Sequence, residues 1–195
     1  MQTECRFSLS VMCDDYAAHI LGALGQVNLD HVQSRTDALS TTYRGARIHV
    51  LDALQSAFGQ VNDEETHITM EATFSGCPDD PVGANCVRPQ TQNGCPGDVV
   101  GVGGRPRANT VRPYDVRARI ALYPLGIVDY AAHVSHVVGL TKQCELYQTA
   151  SRYGAELFGD VQDLFDTFDA ILAYAEAQLE HYVLQVTLSI NSPTK

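Results

Sequence analysis

What this sequence lacks narrows it first. No apolar stretch among its 195 residues reaches the roughly 20 residues that cross a bilayer as a helix. The N-terminus, Met1-Gln2-Thr3-Glu4-Cys5-Arg6, does not lead from a basic start into an apolar run of the kind that directs secretion. A cytoplasmic protein without membrane insertion is therefore expected. Positive charge is scarce: 13 Lys and Arg stand against 23 Asp and Glu, a net charge of −10. That balance disfavours nucleic acid and anionic lipid as partners, while a small cation is tolerated. Six cysteines in a chain this long, with no secretion signal, are too few for a disulfide scaffold, so free thiols are expected.

Catalytic and metal signatures are missing as well. No nucleophile elbow, His-Glu-x-x-His stretch or paired acidic motif occurs. Cys77, Cys86 and Cys95 recur every nine residues, but the two close Cys-x-x-Cys-type pairs of a structural zinc site are absent, so they are read as incidental or redox-labile thiols. Gly101-Val102-Gly103-Gly104 is followed by Arg105-Pro106 where a phosphate-binding helix would have to open, which excludes a phosphate-cradling loop. His133 and His136 are three apart on a predicted helix and are read as ordinary surface histidines. No catalytic residue, cofactor or metal site is expected.

What is present is an internal repeat. Asp15-Tyr16-Ala17-Ala18-His19-Ile20 recurs as Asp129-Tyr130-Ala131-Ala132-His133-Val134, 114 residues on, and the same offset relates Gly45 to Gly159, Asp52 to Asp166 and His67 to His181. Before Asp15 the offset shortens by one, with Phe7-Ser8-Leu9-Ser10-Val11 facing Ile120-Ala121-Leu122-Tyr123-Pro124, which implies one inserted residue in the following turn. His67 and His181 open equivalent strands and are read as polar strand-start residues kept through the duplication.

Each copy reads strand, helix, strand, strand, helix, strand, the order of a ferredoxin-like unit. In copy one, residues 4–11 alternate like a strand. Asp14 or Asp15 is placed to cap a helix with Ala17, Ile20, Leu21 and Leu24 on one face. Strands are expected at 31–36 and 38–44, then a helix with Val50, Leu54, Ala57 and Val61 along one side, then a strand at 66–75. In copy two, Asp160 opens a helix whose Val161, Leu164, Phe165, Phe168, Ile171, Leu172, Ala175 and Leu179 form a 3.6-residue stripe. The expected class is α+β: two tandem ferredoxin-like (βαββαβ) repeats with antiparallel sheets and helices on one face. The expected boundaries are residues 1–75 and 116–195. Between them, residues 76–115 hold seven of the fifteen glycines and six of the eight prolines, a composition that resists regular structure.

Thr36-Asp37-Ala38-Leu39-Ser40-Thr41-Thr42-Tyr43-Arg44-Gly45 concentrates hydroxyls, a carboxylate and an aromatic ring on the first hairpin. Such residues suit an exposed strand by propensity alone, and they also supply donors and acceptors to a flat heterocycle if a pocket lies beside them.

At this point the chain resembles a known family. Arg6-Phe7-Ser8-Leu9, Asp14-Asp15-Tyr16, Ser40-Thr41 with Arg44-Gly45, Thr73-Phe74-Ser75-Gly76-Cys77-Pro78, Ala121-Leu122-Tyr123-Pro124, Tyr153 with Glu156-Leu157 and Gly159-Asp160, and Asn191-Ser192-Pro193 are similar to motifs of the YkoF family, in family order. The match is weakest over residues 79–115. The resemblance implies tandem ferredoxin-like repeats, a homodimer, and in each repeat a non-catalytic site for thiamine or its hydroxymethylpyrimidine moiety, with a role in precursor uptake or handling. The implied ligand residues are the backbone at Ser8 and Leu9 with Asp37, Ser40 and Thr41 in copy one, and Leu122, Tyr153 and Glu156 in copy two.

Two departures from the family pattern matter. Copy one has Ser10-Val11 where copy two has Tyr123-Pro124, and copy two has Ala155 where copy one has Thr41. Unequal sites are expected, with copy one the tighter, since an unpaired buried polar group costs about 1–3 kcal/mol. An enzyme using Asp37 or Glu156 as acid or base on a pyrimidine, and an assembly dimer that has lost its ligand, remain the alternatives.

Overall fold

The computed structural model of the protein describes residues 2–77 and 113–194. Most of the Gly/Pro-rich connection, with Cys86, Cys95 and Gly101–Gly104, lies outside the described residues. Repeat one comprises β1 (Gln2–Val11), α1 (Tyr16–Leu24), β2 (Val32–Thr36), β3 (Thr41–Gly45), α2 (Arg47–Val61) and β4 (Ile68–Cys77). Repeat two comprises β5 (Asp115–Leu125), α3 (Tyr130–Gln143), β6 (Tyr147–Ala150), β7 (Gly154–Asp160), α4 (Val161–Gln178) and β8 (His181–Ile190). Both copies have the βαββαβ order.

The sequence suggests a sheet per repeat; the structure joins them. One antiparallel sheet runs β2-β3-β1-β4-β8-β5-β7-β6, closed at its centre by β4 and β8. Ala72 pairs with Val186 there, and Val186 is its own counterpart at the 114-residue offset, so a pseudo-twofold axis passes between these two residues. Ile68↔Ile190 and Gly76↔Tyr182 lie symmetrically about it. The shortened offset of β1 is also borne out: Leu9 faces Met70 as Leu122 faces Leu184. The extra residue sits in the β5–α3 turn, which contains Gly126 at φ +73°.

Period-two alternation explains the two faces of the sheet. On β8, Tyr182, Leu184, Val186, Leu188 and Ile190 are buried under the helices, as are Ile68, Met70, Ala72 and Phe74 on β4. The α4 stripe from Val161 to Ala175 is almost fully buried, with Leu179 just beyond it, and Asp160 caps the helix by accepting the Gln162 N–H at 2.8 Å. The helix layer also ties the repeats together. Gln55 Nε2 donates to Gln162 Oε1 (3.1 Å), Arg47 Nε to Asp169 (2.7 Å), and Arg47 Nη1 to Glu176.

Three local expectations change. Asp15 stands at the start of α1 but its side chain accepts no capping bond. Leu21 is 69% exposed, and Ala23 takes the buried position instead. β3 begins at Thr41, because residues 37–40 form the hairpin turn rather than strand.

Candidate functional site

The two hairpin turns occupy equivalent places, each beside the C-terminal end of the first strand of its repeat. Because β1 and β5 run antiparallel across the joined sheet, the two places lie at opposite ends of the molecule.

In repeat one the tip is Asp37-Ala38-Leu39-Ser40. The Asp37 N–H donates to the Ser40 carbonyl (3.0 Å), and the Asp37 carboxylate accepts the N–H groups of Leu39 (2.8 Å) and Ser40 (2.9 Å). Those backbone donors, Leu39 first, hold the Asp37 pKa below its ordinary value, so it is an anion at neutral pH. The β1–β3 ladder ends at Phe7↔Thr41, so the β1 edge at Ser8 and Leu9 runs on beyond its partner strand. Ser8 stands opposite Glu71 and Leu9 opposite Met70. Thr41 is 6% exposed, with its hydroxyl 3.0 Å from that of Thr36. It shares the helix-side face with Phe7, so the Ser8 and Thr41 side chains lie on opposite faces of the sheet. Of the five residues that the family resemblance implies, Asp37 and Ser40 form the turn beyond the end of the β1–β3 ladder, and Thr41 turns its side chain away from that of Ser8. The resulting surface is a strand edge with a carboxylate turn next to it.

Repeat two closes the same notch. Its ladder continues one pair further, to Ala121↔Gly154, and the Leu122 N–H donates to the Tyr153 carbonyl at 3.0 Å. Gly154 makes this possible: a Cβ there would sit 1.9 Å from the Ile120 carbonyl oxygen. The equivalent residue in repeat one is Ser40. The Leu122 side chain is fully buried in the core, so it offers a ligand only backbone, and its N–H is already bonded. Tyr153 meets Tyr123 with ring centroids 5.3 Å apart and Tyr130 at 6.4 Å, while the Arg152 guanidinium lies 5.7 Å from its ring. Glu156 is bound by Arg119, with Nη2 at 2.8 Å and Nε at 3.2 Å from one carboxylate oxygen.

Two cavities sit on this side of repeat two. One of 350 Å³ is lined by Arg119, Tyr123, Arg152, Tyr153, Gln185 and Thr187, with Ala121 and Ser151. One of 230 Å³ contains Glu156 together with Arg117 and Ser189. Tyr153 and Glu156 therefore line different cavities. Sequence reasoning missed Arg119, Arg152 and Tyr123 as wall residues. The signal was available in β5, where Arg117, Arg119, Ala121 and Tyr123 alternate with the buried Val116, Ala118, Ile120 and Leu122.

The surface histidines have local partners. His133 Nδ1 lies 2.9 Å from the Tyr174 hydroxyl, and the His136 ring stacks on Tyr174 at 4.0 Å. His67 Nε2 is 3.1 Å from Ser189 Oγ. Among the described residues no three His, Cys, Asp or Glu side chains converge to hold a metal ion, and no helix is long and apolar enough to cross a membrane.

Comparison with known proteins agrees with this architecture. The sequence matches the YKOF-related Family over residues 2–80 and 115–195, one segment per repeat. It is 35% identical over 191 residues, covering 97% of this chain and 90% of the relative, to a Bacillus subtilis (strain 168) protein named "Putative HMP/thiamine-binding protein YkoF".

Proposed function

The chain belongs to the YkoF-related family, and from that premise we propose that it binds thiamine or its hydroxymethylpyrimidine moiety without transforming it, as a cytoplasmic homodimer that handles thiamine precursors. The observation that carries this reading is the β1 edge at Ser8 and Leu9, which outruns its β3 partner beside the anionic Asp37 turn. An aminopyrimidine carries an amino donor next to ring nitrogen acceptors, and an open strand edge pairs with that pattern as it would with another strand. Asp37, with Glu71 beside Ser8, gives repeat one two carboxylates to face a thiazolium cation, among the guanidinium groups of Arg6 and Arg35.

The uncovered sheet face supports the dimer. It carries Arg6, Arg44, Arg117 and Arg119 against Glu4, Glu71 and Glu156, a mixed pattern that a twofold-related copy complements.

Calorimetry with thiamine and with hydroxymethylpyrimidine tests the reading. We expect binding that raises the melting temperature, recovery of unchanged ligand after prolonged incubation, and a tighter thiamine site in repeat one. Equal thiamine affinities in variants that each retain one site would remove the asymmetry, and turnover of the ligand would replace binding with catalysis. Native mass spectrometry reports the subunit number.

A further inference from the structure

The net charge of −10 is unevenly spread. Within the helix layer acidic residues gather on α4, which carries Asp163, Asp166, Asp169 and Glu176. The 350 Å³ cavity of repeat two, by contrast, has two guanidinium groups and no carboxylate in its wall. Arg119 is partly neutralised by Glu156. Arg152 makes no ion pair among the described residues, and it lies near the face of Tyr153. Tyr123 and Tyr153 supply aromatic surface, and Thr187 and Gln185 supply hydrogen-bonding groups.

Arg119 keeps its counterpart in Arg6, but several other corresponding positions in repeat one differ in charge. Ser151 corresponds to Asp37, Arg152 to Ala38, Tyr153 to Leu39, Tyr123 to Ser10 and Gln185 to Glu71. The correspondence is structural as well as sequential, because the Asp37 N–H to Ser40 bond recurs as Ser151 N–H to Gly154 at 2.9 Å. One mouth thus has carboxylates where the other has a hydroxyl and an amide, and an alanine where the other has Arg152. A guanidinium presents paired donors to a phosphate, and an adjacent aromatic face accepts a planar ring.

We propose that the repeat-two cavity binds a phosphate ester of the hydroxymethylpyrimidine, with Arg152 and Arg119 facing the phosphate and Tyr153 and Tyr123 beside the ring, while repeat one takes the cationic thiamine. The two repeats are then selective for opposite ligand charge. This rests on the pyrimidine-binding reading above and extends it to the phosphorylated form.

The test is calorimetry of the full chain with four probes: hydroxymethylpyrimidine, its phosphate ester, thiamine and inorganic phosphate. The ester is expected to bind about tenfold or more tighter than the alcohol, the range a charge-assisted contact supplies. The gap should narrow as ionic strength rises. In Arg152→Ala the two affinities should converge, and a melting temperature within about 2 °C of the parent would show that the fold is kept, since the side chain is exposed. A second variant, Tyr153→Leu, which copies the repeat-one residue, should weaken the ester.

An ester that binds no tighter than the alcohol overturns the proposal. So does an ester preference that survives Arg152→Ala, or inorganic phosphate that binds as well as the ester. If the alcohol and thiamine bind and the ester gains nothing, pyrimidine binding stands and only the phosphate assignment falls. If no probe binds, both fall.

Discussion

In repeat one the hairpin tip is Asp37-Ala38-Leu39-Ser40, and in repeat two it is Ser151-Arg152-Tyr153-Gly154. The closing hydrogen bond is the same in both, at 3.0 and 2.9 Å. Yet one ladder stops at Phe7↔Thr41 and the other runs on to Ala121↔Gly154. A single glycine makes the difference, by letting β7 approach Ile120 within the space a Cβ would fill. After a duplication the scaffold is held in common by many buried contacts, whereas the mouth of each site depends on a few residues at a turn. The mouths are therefore free to diverge while the cores stay matched.

The largest test of the comparison concerns those cores. Phe58 under repeat one and Phe168 under repeat two are both fully buried, and truncating either to alanine should cost about 3–5 kcal/mol. Because β4 and β8 join the repeats into one sheet, each variant should shift a single unfolding transition in denaturant. Two separated transitions would mean that the repeats are independent domains.

Next in size is the link between the repeats. Arg47 is about one-fifth exposed and holds Asp169 and Glu176 across the α2–α4 contact, so Arg47→Ala should cost about 1–3 kcal/mol. The Arg119–Glu156 pair is much more open, and Arg119→Ala should cost less than about 1 kcal/mol. Equal losses would show that burial of the inter-repeat pair contributes nothing.

Gly154→Ser imposes the repeat-one residue on repeat two. The tip must move off Ile120, losing the Leu122 N–H bond to Tyr153 at a net cost of about 1–2 kcal/mol. Amide exchange at Leu122 should accelerate, and an unchanged rate would disprove the role given to the glycine.

The smallest effect is acidic. Asp63, in the α2–β4 turn of repeat one, has its pKa lowered to about 2 by hydrogen bonds from Thr66, the side-chain hydroxyl first, and from the Glu65 N–H. A depressed folded-state pKa gives stability that is complete above the ordinary carboxylate value and is lost as pH falls towards 2. The group is nearly bare to solvent, so the effect should stay below about 1 kcal/mol. Repeat two has Ala177 at that place. Asp63→Asn should flatten the acid limb of a melting-temperature profile between pH 4 and 2, and an unaltered limb would assign the acid sensitivity elsewhere.

Much of the fold was legible in the sequence because a duplicated chain states its pattern twice. The offset from Asp15 to Asp129 and the stripe along α4 were enough to give the element order. Leu21 was misplaced because nine residues of helix fit more than one apolar face, and only packing chooses between them. The wall of the repeat-two cavity was harder to see. Arg119, Arg152 and Gln185 come from β5, the β6–β7 turn and β8, and strand pairing alone makes them neighbours. Ser8, Leu9, Asp37, Ser40 and Thr41 were named together from the family resemblance, and the pairing of β1 with its hairpin neighbour sets the backbone of Ser8 and Leu9 beside the turn. The function of Gly154 has no sequence signature, since it depends on an approach distance.

The Ala72–Val186 pair has an evolutionary consequence. At that point a strand is paired with its own counterpart, in the register that two identical strands adopt around a dyad. A single-repeat ancestor bearing this β4 edge would have met a second copy of itself through the same residue, as a symmetric pair of separate chains. Joining two such copies in one chain makes a concentration-dependent encounter intramolecular, and lets each half mutate without forcing the same change on the other. The different residues at the two mouths, Asp37 and Ala38 against Ser151 and Arg152, are a divergence that a true homodimer of single repeats could not hold.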